Sequence, residues 1–219
     1  MKYPVIVSTN CSGANFYHNY LNLQFYSPFI WSVISYSDII KLIEQWNNIN
    51  FLSYKIVKNK TRELTYTLII DDLIRVNYVH YFYSDTYEEP FYKGASVFSK
   101  NIIKFIEKKY VERTNRMINY GDISNPYFII HEEEYTNEND PTGFQKICEL
   151  KSDFKRALIT HKNYKAANDK NSLLIKSDNK LLPQNMIEKY GNNIKDWFKI
   201  NDEIFKTNKV SLNMTTNHQ

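Results

Sequence analysis

The sequence predicts an α/β fold, a three-layer α/β/α arrangement around a mixed, mostly parallel sheet, and three observations predict it. Short apolar runs of strand length alternate with segments whose apolar residues recur at helical spacing, the pattern of a sheet flanked by helices. Residues 66 to 83 carry two strand signals joined at Asp71-Asp72, which adds an antiparallel hairpin. The composition is 42% hydrophobic and 16% aromatic, with only 5 Gly and 6 Pro. That is enough apolar material for a packed core, and too little Gly or Pro for a collagen-like, linker or Pro-rich chain.

In chain order, Pro4 to Val7 reads as a buried strand, followed by the loop Ser8 to Gly13 and a short helix over Ala14 to Leu21. Phe29 to Ile34 is a second strand. A helix follows, with Ile39, Ile40, Leu42, Ile43 and Trp46 on one face and Ser37 as its N-cap. Leu52 to Val57, Tyr66 to Ile70 and Leu73 to Tyr81 are strands, and Glu88 to Arg116 is mostly helical. Tyr127 to Ile130 is a strand, Gly143 to Leu150 a helix, and Arg156 to Thr160 and Leu173 to Ile175 are strands. The closing helix runs from Pro183 to Phe205 with an interruption at Gly191. The expectation is one domain over residues 1–205 and a polar, flexible tail over 206–219.

Net charge is +4, from 28 Lys+Arg against 24 Asp+Glu, and 23 of the basic residues are Lys spread along the chain. A nucleic-acid binder concentrates such an excess on one face or in a run, so no nucleic-acid partner is expected. Cys11 and Cys148 make no CxxC or zinc-ligand spacing. Two reduced thiols are the simpler reading, with one long-range disulfide as the alternative. The first apolar run is too short for a secretory segment, and none approaches the ~20 residues that span a bilayer. A soluble, cytoplasmic protein is expected.

Four constellations could carry chemistry. The loop Ser8-Thr9-Asn10-Cys11-Ser12-Gly13 follows the first strand, where open α/β sheets bind ligands; its small polar residues suit a phosphate or hydroxyl, although it has neither GxGxxG nor a Walker pattern. The alternative is an ordinary turn with Asn10 as a local cap. Asp71-Asp72 could hold a metal or sugar hydroxyls, or be a solvated turn; an extended strand would put His80 about 26 Å from Asp72 at ~3.3 Å per residue. Arg113 and Arg116 are helix neighbours suited to bidentate grip of phosphate, or else form a solvated helix end. His131 with Glu132-Glu133-Glu134 ends a buried strand, and His161 ends another; each could serve acid–base or metal chemistry, or lie in an exposed loop.

Taken in order, Asn10-Cys11-Ser12-Gly13, Ser27-Pro28-Phe29, Asp72-Leu73-Ile74-Arg75-Val76 with Val79-His80-Tyr81, the Arg113/Arg116 stretch and the strand ending at His131 resemble the bacterial domain-of-unknown-function family nineteen-nineteen. The chain has Ser12 and Ala14 where that family carries Trp and Gly, and Arg75 and Asn77 where it carries an acidic residue and His. The resemblance spans about residues 4 to 205. It implies a three-layer α/β fold and a place in bacterial surface-polysaccharide assembly, without a set reaction.

The functional expectation is a glycosyltransferase-like transferase of capsule or exopolysaccharide synthesis, taking a nucleotide sugar or other phosphorylated sugar donor and a glycan acceptor. Asn10, Cys11, Ser12, Gly13 and Asp72 would contact the donor, Arg113 and Arg116 its phosphates, and His80 or His131 would be the base. No DxD motif is present, and no cofactor or metal site is indicated. A non-catalytic carbohydrate-binding or scaffold protein is the alternative, and a metal-dependent hydrolase using His131 and Glu132 the third reading. Asn10, Cys11, His131 and His161 are expected on one edge of the sheet.

Overall fold

A computed structural model describes residues 2–21, 27–30, 32–58, 66–78, 100–132, 142–164, 169–178 and 182–200. Strand β1 (Ile6–Ser8) leads into helix α1 (Ser12–Phe16), which widens into a π-helical turn over Tyr17–Leu21. After β2 (Ser32–Ile34) comes α2 (Tyr36–Gln45), then β3 (Tyr54–Lys58), β4 (Tyr66–Ile70) and β5 (Ile74–Tyr78). The long helix α3 (Lys100–Tyr120) precedes β6 (Tyr127–His131), α4 (Gly143–Glu149), β7 (Arg156–Thr160), β8 (Ser172–Lys176) and α5 (Pro183–Phe198).

The α/β character holds, but the expected mixed, mostly parallel sheet does not. The strands form two sheets: a parallel one in the order β1-β6-β7-β8 and an antiparallel one in the order β2-β5-β4-β3. Three pairings are parallel and three antiparallel among the described residues. The reason lies in β2. Its residues Ser32 to Ile34 pair with Tyr78 to Val76 of β5, so β2 closes the hairpin meander instead of extending the parallel sheet. The two sheets meet where Ile34 N donates to Thr9 O at 3.0 Å, just past β1.

Alternation along β1 and β6 sorts side chains to the two faces of the parallel sheet. Val5, Val7, Phe128, Ile130 and Leu158 join one core with α2, Tyr110 and Met117 of α3, α4 and the antiparallel strands. Ile6, Ile129, Ala157 and Ile159 join a second core with α1 and α5. Parallel strands buried on both sides read as continuous apolar runs, which is why Tyr127 to Ile130 and Ala157 to Ile159 stand out in the sequence.

Several boundaries move for identifiable reasons. Ser35, not Ser37, caps α2: its hydroxyl accepts from Asp38 N at 3.2 Å, three residues on, the N-cap geometry. Helix α3 continues past Arg116 to Tyr120, since Ile106, Tyr110 and Met117 keep one buried face in register; the expected earlier part, up to residue 99, lies outside the described residues. Helix α5 runs through Gly191 without interruption and stops at Phe198. A Cβ at Gly191 would come within 2.2 Å of the Tyr20 ring, so the glycine serves close packing, not a break. Lys199, with φ 55°, terminates the helix, and Ile200 N bonds back to Lys195 O, the Schellman pattern. The expected tail 206–219 lies outside the described residues.

Candidate functional site

Because β1, β6 and β7 run parallel and adjacent, their carboxyl ends fall on one edge, and the residues following each strand converge there. The edge collects Asn10 after β1, His131 and Glu132 at the end of β6, and His161 and Lys162 after β7. The sequence expectation that Asn10, Cys11, His131 and His161 share an edge is met in this way, Cys11 following Asn10 at the start of α1.

Asn10 works in two directions. Its Oδ1 accepts from Ser12 N at 2.9 Å, a local turn that opens α1, and its Nδ2 stands 3.2 Å from His131 Nδ1. The local-cap alternative is thus present, and the same side chain also reaches across to the neighbouring strand. His131 is 4% exposed, and its backbone is fixed by Thr9: His131 N donates to Thr9 Oγ1 at 3.1 Å. The rest of the loop is packed. Ser12 and Gly13 are buried and Cys11 is half-buried, with no disulfide joining it to buried Cys148. A Cβ on Gly13 would stand 2.5 Å from Ser8 Oγ, so this glycine lets α1 lie against β1.

Glu132, 5% exposed, is surrounded by donors. Thr160 Oγ1 and Tyr164 OH donate to its two oxygens, Lys162 Nζ lies 2.9 Å from Oε1, and His161 Nδ1 lies 3.7 Å from Oε2. Burial pushes this carboxyl up, but the bonds from Thr160, Tyr164 and Lys162 and the Lys162 charge outweigh it and hold the group below the usual carboxylate range. Burial likewise pushes the Tyr164 phenol up, and Glu132 beside it adds to the shift. Burial pushes the nearby Cys148 thiol to about 11, which makes it unreactive near neutral pH. Rings continue the site wall: Tyr164 packs on Phe144 at 4.9 Å, and Phe144 on Tyr36 at 5.7 Å.

Other expected site residues lie elsewhere. Asp71 and Asp72 form the β4–β5 turn with φ values of 51° and 52°. Asp71 accepts from Asn50 N, and exposed Asp72 pairs with Lys55, contacts that tie the turn to β3 and the residues leading into it. Arg113 is buried and Arg116 half-buried on α3. That helix ends at the amino edge of the parallel sheet, where Tyr3 N donates to Tyr120 O. Along its axis Arg116 is about 6 Å and Arg113 about 10 Å from Tyr120, whereas Asn10 is about 23 Å along the strand from Tyr3. His80, Glu133 and Glu134 lie outside the described residues.

Thr160, Lys162 and Tyr164 escaped the sequence reading, because what unites them with Glu132 is the β6–β7 pairing and not any local spacing. Among the described residues no three His, Cys, Asp or Glu side chains group to hold a metal ion, and no helix is long and apolar enough to cross a membrane. Set against protein-family models, curated proteins and solved structures, the chain matches none.

Proposed function

We propose that the carboxyl edge of β1, β6 and β7 binds a phosphate-bearing sugar donor and that the protein is a glycosyltransferase-like transferase; its place in bacterial surface-polysaccharide assembly is what the resemblance to family nineteen-nineteen implies. The observation that supports this is the convergence of Asn10, His131, Glu132 and His161 on that edge, the position where open α/β sheets take their ligands. We read the two cores as helical layers on either face of the parallel sheet, a three-layer α/β/α domain over residues 1–205, acting in the cytoplasm where nucleotide sugars are found.

In this reading His161 is the base. Its side chain is 25% exposed and has the Glu132 carboxylate behind Nδ1, an arrangement that favours a proton on that nitrogen and leaves the other to accept. It takes the acceptor hydroxyl's proton as that oxygen bonds to the anomeric carbon and the donor phosphate leaves. Lys162, already at the edge, meets the phosphate in place of Arg113 and Arg116. The metal-dependent hydrolase reading has less support, since the Lys162 ammonium lies 2.9 Å from Glu132 Oε1 and neutralises that carboxylate.

A non-catalytic carbohydrate-binding role has one observation in its favour: both Glu132 oxygens already accept bonds, beside the aromatic wall of Tyr164, Phe144 and Tyr36. A thermal-shift panel separates the two. A nucleotide sugar at a hundred times its Kd adds about 2.7 kcal/mol of stability, and His161→Ala should abolish transfer while keeping that shift. Stabilisation by free glycans alone would select the binding module.

A further inference from the structure

We infer that Asn10 is a positioning residue that selects the tautomer of His131: the uncharged ring accepts at Nδ1 and carries its proton on Nε2, so that Nε2 is a donor and not a base. The argument starts at Ser12. Its backbone N–H points at Asn10 Oδ1, 2.9 Å away, and this fixes which end of the amide is oxygen. The other end, the NH2 group, therefore faces His131 Nδ1 at 3.2 Å. An amide NH2 only donates, so Nδ1 presents its lone pair. In a neutral imidazole one nitrogen accepts and the other carries the proton, which places it on Nε2.

The alternative arrangements are costly. Turning the amide over would set its NH2 against the Ser12 N–H and break the turn that opens α1. A proton on Nδ1 would face the Asn10 donor head-on. Asn10 and His131 are both buried, which leaves little room for water to relieve either conflict. The strand holds the ring in place, since Thr9 Oγ1 accepts from His131 N.

A ring nitrogen that carries its proton is a donor and not a base. It does not suit a hydroxyl awaiting deprotonation, which is the task assigned above to His161. This consequence rests on the proposed site; the tautomer does not.

The full chain, labelled with 15N at histidine and held at about pH 8, where ordinary imidazoles are neutral, is to be observed by long-range proton–nitrogen correlation, with His131→Gln assigning the signal. The expected spectrum shows His131 protonated at Nε2. In Asn10→Asp the carboxylate still accepts from Ser12 N with one oxygen, but its other oxygen also accepts, so the His131 proton should move to Nδ1. A parent protein protonated at Nδ1, or a folded Asn10→Asp variant with an unchanged tautomer, overturns the inference. Should that variant fail to fold, the parent spectrum alone decides. An Nε2 proton without any nucleotide-sugar shift would sink the transferase reading and leave the tautomer standing.

Discussion

At the residue scale, Glu132 shows how a local sequence signal acquires a distant set of partners. Its folded pKa lies below that of a free carboxylate, so the stabilisation it contributes is fully present above the unfolded value near ~4.3 and is lost as pH falls through the folded value. Glu132→Gln leaves a neutral amide among donors placed for a carboxylate. It should cost about 1.5–3 kcal/mol at pH 7 by denaturant titration, and the gap to the parent should close below pH ~4; a gap that stays constant with pH would assign the loss to packing alone. Asp169 follows the same sign. Burial raises its carboxyl, but the Asn171 N–H and the Arg156 charge lower it further, in a pair that includes a fully buried arginine. His131 was legible because it ends the apolar run Tyr127 to Ile130. Arg156 and Asp169 were not, since twelve intervening residues say nothing of a shared contact. The sequence offers Asn10 as a donor contact or as a local cap, and only the parallel pairing of β1 with β6 shows its partner His131.

The elements were legible wherever their periodicity is local. The strand Arg156–Thr160 has the predicted bounds, and α2 shows its apolar face, whereas ends and interruptions depend on tertiary neighbours. Gly191 is the clearest case. A glycine inside a helix suggests a break by propensity, yet here the missing Cβ makes room for Tyr20, whose hydroxyl donates to Glu188 O one turn earlier. Alanine is favoured over glycine in a helix by about 1 kcal/mol, and overpacking costs roughly 1–3 kcal/mol. Gly191→Ala should therefore lower stability in the parent protein. In a Tyr20→Ala background, where the ring is gone, the same substitution should raise it by about 1 kcal/mol. Chemical denaturation of the four proteins gives the coupling directly, and a substitution equally harmful in both backgrounds would remove Tyr20 as the reason for the glycine.

At the scale of the whole molecule, the partition of the eight strands among the described residues into two sheets could not be read from the chain, because periodicity reports which face a strand buries and not which strand it pairs with. Yet the two sheets do not have separate cores. Val7, Phe128 and Ile130 of the parallel sheet share one cluster with Ile34, Leu68, Ile70 and Val76 of the antiparallel sheet, with α2 packed among them. Trp46 sits in that cluster, its indole donating to Ile123 O, while Trp197 packs against the second cluster formed with α1 and α5. β1 and β6 present alternate residues to both clusters, so neither core can open without exposing strands that the other covers. Residues 1–205 should accordingly unfold as one unit. Two single-tryptophan variants test this, one keeping Trp46 and the other Trp197, with phenylalanine at the remaining tryptophan positions including Trp31. In each variant the fluorescence midpoint in urea should coincide with that of far-UV circular dichroism of the same protein, whatever stability the substitutions themselves remove. A Trp46 transition that separates from the backbone signal, while that of Trp197 follows it, would divide the chain into two domains along the seam at Thr9 and Ile34.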